Sequence, residues 1–511
     1  MKKIVSLLVL SSFFLSCSND IETEVIESNL SQRTSLRNDN EDFLLKKKFS
    51  LALHQAMLNN VQLRFFLKEE ALKTFDGDFD ILYNYVKDNN VDGNSFRNTI
   101  LPYFVNEQEL FEIENKIPTL TIFIPTLPEE SFSAKNWNIQ NDVPLVAVRL
   151  LDYGKTAVFS SNDEHFTLDN DQVPGFPIVV IKDNERITIP EFEGYTTNRN
   201  QEYYSTNGTF RFKFMWNFIF GGLPNALING DLDPAITDSW NLNGQNQNIG
   251  WQRDHIYYGI NINNPNGPFI NNHQERISSF KIDGIDGKDA LEKISQPNGI
   301  NNLADPTLIP GILTYSGGVN VNSFWTDGYF EFGVYLYHGS NSANEGSRKE
   351  VAISARATDL FDIEYQRVIN TVFRVYVVKN ITSKSMSVAT ELNTWDLMRY
   401  SNTWKISIEE VDATVENTTT SVDATKYNAN FSAEGTIMKI GMKLGASTEQ
   451  TLSTTVVTKY TVGSNPLEDV TIHFGDNIII NQNQIGSNTF YSLRKYSSGD
   501  FTISVRPVKV Q

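Results

Sequence analysis

Over residues 41–117 apolar side chains recur at helical steps. In "FLLKKKFSLALHQAMLNNVQLRFFLKEEALKTF", Leu44, Phe49, Leu53, Met57 and Leu58 are followed by Leu63, Phe66, Leu67, Ala71 and Leu72. That spacing predicts a helical module, with "DILYNYVKD" and "EQELFEIENKI" as two further short helices. After Pro118 the period changes. "TLTIFI", "PLVAVRLL", "TAVFSS" and "FPIVVIKD" are short β-rich runs bounded by Pro, Gly, Asn and Asp. Beyond Thr196 the strands become long and aromatic, as in "TFRFKFMWNFIF" and "DGYFEFGVYLYHG", with Asn225 to Trp251 as a long polar loop. From residue 387 the strands carry Thr and Ser, as in "WKISIEEVDATVENTTTSV" and "TLSTTVVTKYTV".

The expected fold class is therefore mainly β with an N-terminal helical module and two or more β-sandwich or jelly-roll-like units. Residues 41–117 form the helical module, 118–195 a small β-rich unit, 196–386 an aromatic-rich sandwich-like domain and 387–511 a Thr/Ser-rich β domain. No repeat of solenoid period is seen.

The first forty residues stand apart. Lys2 and Lys3, the apolar run Ile4 to Leu15 and the small Ser16 have the three parts of an export signal, residues 1–16. Cys17 follows, the single cysteine among 511 residues. One thiol makes no internal disulfide, so stability must come from packing. "FFLSC" resembles the lipobox of bacterial lipoproteins, whose cysteine is acylated after cleavage; Phe14 departs from the usual aliphatic residue. The resemblance implies lipidation at Cys17, and acyl chains contribute about 0.8 kcal/mol per buried CH₂ to anchoring. Residues 17–40 are polar and acidic and read as a flexible tether.

The formal charge of −18 excludes a nucleic-acid partner, whose binding rests on Lys and Arg neutralising phosphates. "RFFLKEEALKTFDGDFDILYNYVKD", "PIVVIKDNERI", "WDLMRYSNTWKISIEEVD" and "GMKLGAS" resemble segments of uncharacterised Bacteroidetes surface lipoproteins. In that group acids after the cysteine, here Asp20, Glu22 and Glu24, resemble a mark for export to the outer face. What the resemblance implies is a location, the outer membrane, with the lipid as the membrane contact. It carries no catalytic residues.

Chemistry is sparse. HExxH, GxSxG, the P-loop and the dinucleotide glycine fingerprint are all missing. "DGDFDILYNYVK" has Asp76, Asp78 and Asp80 in alternation, but Ile81 and Lys87 stand where an EF-hand needs Gly and Glu. A turn in which Asp78 or Asp80 caps the next helix is the expectation. In "DGIDGKDALEKI", Asp289 and Glu292 read as a capping box, leaving Asp283 and Asp286 as candidates for a structural calcium. "NGDLDPAITD", with Asp231 and Asp233, is a similar loop. The six histidines lie far apart in sequence and read as packing or surface residues.

In "EEVDATVE", Glu410 and Asp412 match two positions of a jelly-roll glycosidase pattern. Thr414 breaks the pattern, and along a strand Glu410 and Glu416 stand about 20 Å apart. A retaining pair needs about 5–5.5 Å. Asp327 and Glu331 are further acids on a strand. Trp240 and Trp251 are the candidate exposed stacking residues for a sugar. The Thr/Ser-rich strands around Ala413 to Ala429 and Ser447 to Val462 are similar to the inserting hairpins of aerolysin-type toxins. The leading expectation is a non-enzymatic surface lipoprotein that binds an extracellular glycan or another macromolecule, with no cofactor beyond that calcium. A jelly-roll glycoside hydrolase and a β-pore-former are the alternatives.

Overall fold

The computed structural model describes residues 41–148, 156–160, 165–169, 171–184, 186–189, 202–214, 232–245, 251–261, 264, 267–295, 324–326, 329–340, 348–369, 371–397, 399–410, 421–432, 449–460, 465–485 and 488–510. The chain is mainly β, with several separate sheets and a helical segment at its N-terminal end.

Helix α1 covers residues 41–59 and α2 covers Val61–Leu72. Their buried seam is Leu45, Phe49, Leu53, Met57, Leu63, Leu67 and Ala71, while Leu44, Leu58 and Leu72 face outward. The helical period was legible, and its phase is set by the sheet beneath. Asn60 ends α1 and begins α2, its side chain accepting from the Gln62 and Leu63 N–H groups at 2.9 and 3.1 Å. Such a cap is worth about 1 kcal/mol. "EQELFEIENKI" forms α3, Glu107–Lys116, capped by Asn106.

"DILYNYVKD" divides. Asp80–Leu82 is a strand, β1, and only Tyr83–Val86 is helical. All three β1 residues are buried at the end of a six-stranded sheet, where ladder pairing outweighs local helical pattern. That sheet continues with β2 (Leu120–Phe123), β3 (Leu145–Val148), β4 (Thr156–Phe159), β5 (His165–Leu168) and β6 (Ile178–Asp183). Its order is β1-β2-β6-β3-β4-β5, antiparallel except for β3 beside β6. The run Ile178, Val179, Val180, Ile181 is continuously apolar because β6 is central and buried on both faces.

The expected polar loop from Asn225 to Trp251 contains a helix, α4, Pro234–Gln245, followed by α5, Gln252–Tyr258. Asp233 accepts from the Ala235 N–H at 2.9 Å and Pro234 opens the helix. An acid at the cap and a proline at the first position favour this start. Polar composition alone hid it.

Longer strands farther along the chain include β7 (His273–Ile282), β8 (Tyr329–Ser340), β9 (Arg348–Arg356), β10 (Phe361–Arg367), β11 (Val375–Ser383), β12 (Met386–Glu391), β13 (Tyr400–Glu410), β14 (Ser421–Ser432), β15 (Glu449–Tyr460), β16 (Asn465–His473) and β17 (Phe501–Lys509). One antiparallel sheet runs β9-β8-β13-β16, and another runs β12-β7-β17 with Tyr496–Ser497 at its edge. β10 and β11 form a hairpin, and β11 also pairs with Val173–Pro174. Ladders thus cross the expected boundaries at 195/196 and 386/387. The buried apolar cluster is likewise continuous from Leu45 to Val505.

Candidate functional site

Charged side chains are buried where β1, β6, β8 and β9 meet. Asp76, Asp78 and Asp80 lie within 2% of full burial, as does Lys182 on β6, and Arg186 is 3% exposed. Lys182 Nζ is 3.1 Å from an Asp80 carboxylate oxygen. Asp76 accepts from the Asn184 amide at 2.8 Å, and its carbonyl accepts from Arg186 at 2.6 Å. Arg186 also reaches Glu331 on β8 at 3.2 Å, and its guanidinium lies 3.6 Å from the centre of the Tyr329 ring. Glu331 accepts from the Ser354 hydroxyl on β9. Buried charges persist only when paired in this way.

The three alternating acids therefore do not cap the next helix. Tyr83–Val86 begins at Leu82 without a side-chain cap. Asp76 and Asp78 stand in the turn that leads into β1 and Asp80 at its first position, and partners 100 residues away and more hold them inside. Glu331, inside the apolar run "YFEFGVYLY", was the other legible sign, because a carboxylate in such a strand needs a buried partner.

Asp78 differs from its neighbours. One oxygen accepts from the Phe79 N–H at 2.7 Å. The other, Oδ2, is buried and has no hydrogen-bond partner among the described residues. It borders a shallow cleft of about 350 Å³ counted out to open solvent, lined also by Phe123, Thr126, Phe324, Trp325, Arg356, Ala357 and Thr358. Burial lifts the Asp78 carboxyl above its ordinary value and Asp76 adds to this, against the pull of Arg356, Arg186 and Lys182. Burial would lower the Arg356 guanidinium, but Tyr329, Asp78 and Asp359 hold it above its ordinary value. The cleft thus presents an acceptor, a permanent cation, two hydroxyl groups and an aromatic wall.

A second buried pair lies elsewhere. Arg253 on α5 and Glu275 on β7 are both fully buried and joined at two points, 2.8 and 3.1 Å. Tyr257 donates to Glu275 at 3.2 Å and Arg253 donates to the Asp476 carbonyl at 2.9 Å. The same guanidinium lies 5.1 Å from the Trp395 ring centre. Every group around the pair is occupied by protein, so it holds the fold together and presents nothing to a ligand.

Next to it, Asp254 is 1% exposed and neither carboxylate oxygen makes a hydrogen bond among the described residues. Burial raises its carboxyl well above the ordinary value, offset only in part by the nearby Trp251 backbone. The folded state therefore prefers the protonated acid. Below about pH 3.9, the unfolded value, the acid is protonated in both states and costs nothing. Above it the unfolded chain releases its proton first, and stability falls until the raised folded value is passed. Asp254→Asn, which cannot ionise, should accordingly stabilise the protein at pH 7 relative to pH 3.5, by about 1.4 kcal/mol for each pH unit by which the folded value exceeds the unfolded one. Thermal unfolding of both chains at pH 7 and pH 3.5 tests this. An equal difference at the two pH values would refute the ionisation account.

The other sequence candidates have the following places. Asp283 accepts from Lys281, Ser497 and Thr502. Asp286, not Asp289, is the N-cap of the short helix Gly287–Glu292, accepting from the Asp289 N–H at 2.9 Å. Asp289 reaches back to the Ile285 N–H at 2.9 Å, so the N-cap sits three residues earlier than read. Gly284 forces this tight approach, since a Cβ there would come within 2.5 Å of the Ala290 nitrogen. Among the described residues no three His, Cys, Asp or Glu side chains gather to hold a metal ion.

Trp240 is half-buried and donates to Gln482 at 2.8 Å. Trp251, also half-buried, packs edge-on against His473 and Phe474. Glu410 is fully buried at the end of β13 and does not line the cleft. Cys17, Asp231, Asp327, Asp412, Glu416 and Trp216 lie outside the described residues. β14 and β15 pair along twelve residues from Ser421↔Tyr460 to Ser432↔Glu449, the place of the hairpin read from the sequence. Their connection, 433–448, lies outside the described residues.

Fold and site together define a mainly β protein in which a helical segment is joined to aromatic sheets through buried charge. No family model, no curated protein and no solved structure matches this chain.

Proposed function

We propose that the protein is an exported, lipid-anchored binding protein, built on β-sandwich-like units, whose cleft between Asp78 and Arg356 takes a neutral carbohydrate. The observation that carries this is the buried Asp78 Oδ2, which lacks a partner among the described residues and borders the cleft beside Arg356. An anion would meet Asp78 and a cation would meet Arg356. A neutral hydroxylated ligand satisfies both, donating to the carboxylate and accepting from the guanidinium. Phe123, Phe324 and Trp325 supply an apolar wall for the C–H face of a sugar ring, and Thr126 and Thr358 add hydroxyl groups. The acyl group on Cys17 and the acidic tether would hold this cleft outside the cell.

Screening the protein against immobilised glycans, with titration of the strongest, tests the proposal. Asp78→Asn keeps the shape but removes the charged acceptor. It should weaken binding about tenfold to a hundredfold, as loss of a charge-assisted hydrogen bond predicts. Binding should also weaken as acid protonates the raised Asp78 carboxyl. An absence of glycan binding, or equal binding by the variant, rejects this site.

A further inference from the structure

The hairpin of β10 and β11 ends in an exposed apolar turn. Ile369 is 81% exposed, Val372 97% and Phe373 39%. The turn is braced all the same. The Val368 N–H donates to the Val375 carbonyl at 3.0 Å, and the Thr371 hydroxyl donates to the Phe373 carbonyl at 2.6 Å. Phe373 stacks on Phe166 of β5 with ring centres 4.3 Å apart, and Phe176 adds a second ring at 5.2 Å. Gly175 donates to the Arg374 carbonyl at 2.8 Å. Two aliphatic side chains are thus held out in water by a rigid aromatic base. Exposed Arg367 and Arg374 flank them, in a chain whose overall charge is −18.

Position adds an independent argument. Helix α1, the first described element, begins at residue 41, where the tether ends. Its residues Phe43 and Leu51 pack on Val148, Ala157 and Phe159 of β3 and β4. β4 pairs with β5, Val158 opposite Phe166, and Phe166 carries Phe373. Successive strand residues alternate faces, so Ala157 and Phe159 look toward α1 and Val158 and Phe166 look away from it; the end of the tether and the apolar turn sit on opposite faces of one sheet, at adjacent strands about 4.8 Å apart. On the reading of Ser18 to Asn40 as an unstructured tether, its 23 residues would span about 24–29 Å on average. A bilayer holding the acylated end of that tether is within reach of the turn.

We propose that Ile369 and Val372 at this turn insert into the interface of an anionic lipid bilayer as a second membrane contact, with Arg367 and Arg374 on the headgroups. This rests on the reading of Cys17 as acylated. The turn closes a two-stranded hairpin and carries two exposed aliphatic side chains, which suits a wedge between lipids rather than a protein interface of about 800 Å² per partner. The second contact fixes which face of the fold looks at the membrane, and the lipid anchor supplies the local concentration that so small a wedge needs.

The single cysteine makes a direct test available. With Cys17 acylated, Val372→Cys introduces the only free thiol, and Ile285→Cys, at a site 96% exposed, gives the control. Each full-length lipidated chain is labelled with an environment-sensitive fluorophore and reconstituted into phosphatidylglycerol-containing vesicles. At 372, quenching by aqueous iodide should fall about threefold or more relative to 285, and lipid-borne nitroxide should quench 372 alone. Equal iodide access at both positions overturns the proposal. So does protection at 372 without lipid that grows with protein concentration, which would point to a second copy of the chain. Thiol labelling of the parent chain would show that Cys17 is not acylated. That failure of the anchor reading is visible before any vesicle is added, and the turn is then read in the Cys17→Ser background on the same vesicles, by the same criteria.

Discussion

Glu275→Ala should lower the stability of the folded chain by about 3–5 kcal/mol, the cost of leaving one member of a buried ion pair alone. Arg253 would lose both contacts to the carboxylate, at 2.8 and 3.1 Å, and keep only the Asp476 carbonyl and the face of Trp395. Tyr257 would lose its acceptor as well. The pair ties α5 to β7, and through Asp476 to the turn after β16, so its loss loosens three separate elements. Urea unfolding with the midpoint followed by tryptophan fluorescence measures this, since Trp395 lies against the guanidinium. The double variant Arg253→Met with Glu275→Leu separates pairing from burial. It should recover most of the loss, because apolar replacements of similar volume need no partner. A single variant as stable as the parent would show that the pair is not sealed from water.

Arg186→Ala should cost a similar amount, about 3–5 kcal/mol, for a different reason. Arg186 joins the Asp76 carbonyl to Glu331 and lies against Tyr329, so one side chain fastens the segment before β1 to β8. Removing it leaves Glu331 with Ser354 and places more of the excess negative charge of Asp76, Asp78 and Asp80 on Lys182 and Arg356. The effect should be localised at this junction. Hydrogen exchange should accelerate in β1 and at the start of β8, while β7 and β17 keep their protection. Uniform acceleration would instead mean that the junction is not a distinct unit. Binding to any carbohydrate found for the cleft should weaken in parallel, because Asp78 is positioned by the same cluster.

How much was legible varied with how local the physics was. The seam from Phe49 to Ala71 was readable because helical period is local, yet Leu44 and Leu58 were placed in it and turned out exposed. The helix at Pro234–Gln245 was missed although "DLDPAITD" carries both a capping acid and a proline at the first turn. The N-cap was read three residues late, at Asp289, since "DGIDGKD" offers two acids at nearly equivalent positions and only the approach of Gly284 to Ala290 chooses between them.

The cleft was not legible as a site. Asp78 and Arg356 are 278 positions apart, and neither belongs to a motif. Each charge looked ordinary until its burial was known. Trp240 and Trp251 were chosen because they stand in a polar stretch, but composition does not report what a ring packs against; both lie half-buried against residues from the region 473–482. Trp325, by contrast, was one aromatic among many and stands at the cleft wall.

By itself the sequence determined the class of fold and the change from helical to strand period near Pro118. These follow from composition and from spacing over a few residues. Only the tertiary structure decided that "DIL" joins a sheet, that ladders and one apolar core run across the expected boundaries, and that three alternating aspartates are buried charges rather than caps. Those outcomes depend on contacts between residues tens to hundreds of positions apart. The free energies that fix them, ladder hydrogen bonds, apolar burial and, for the aspartates, pairing of charge in a low-dielectric interior, have no counterpart in any short stretch of chain.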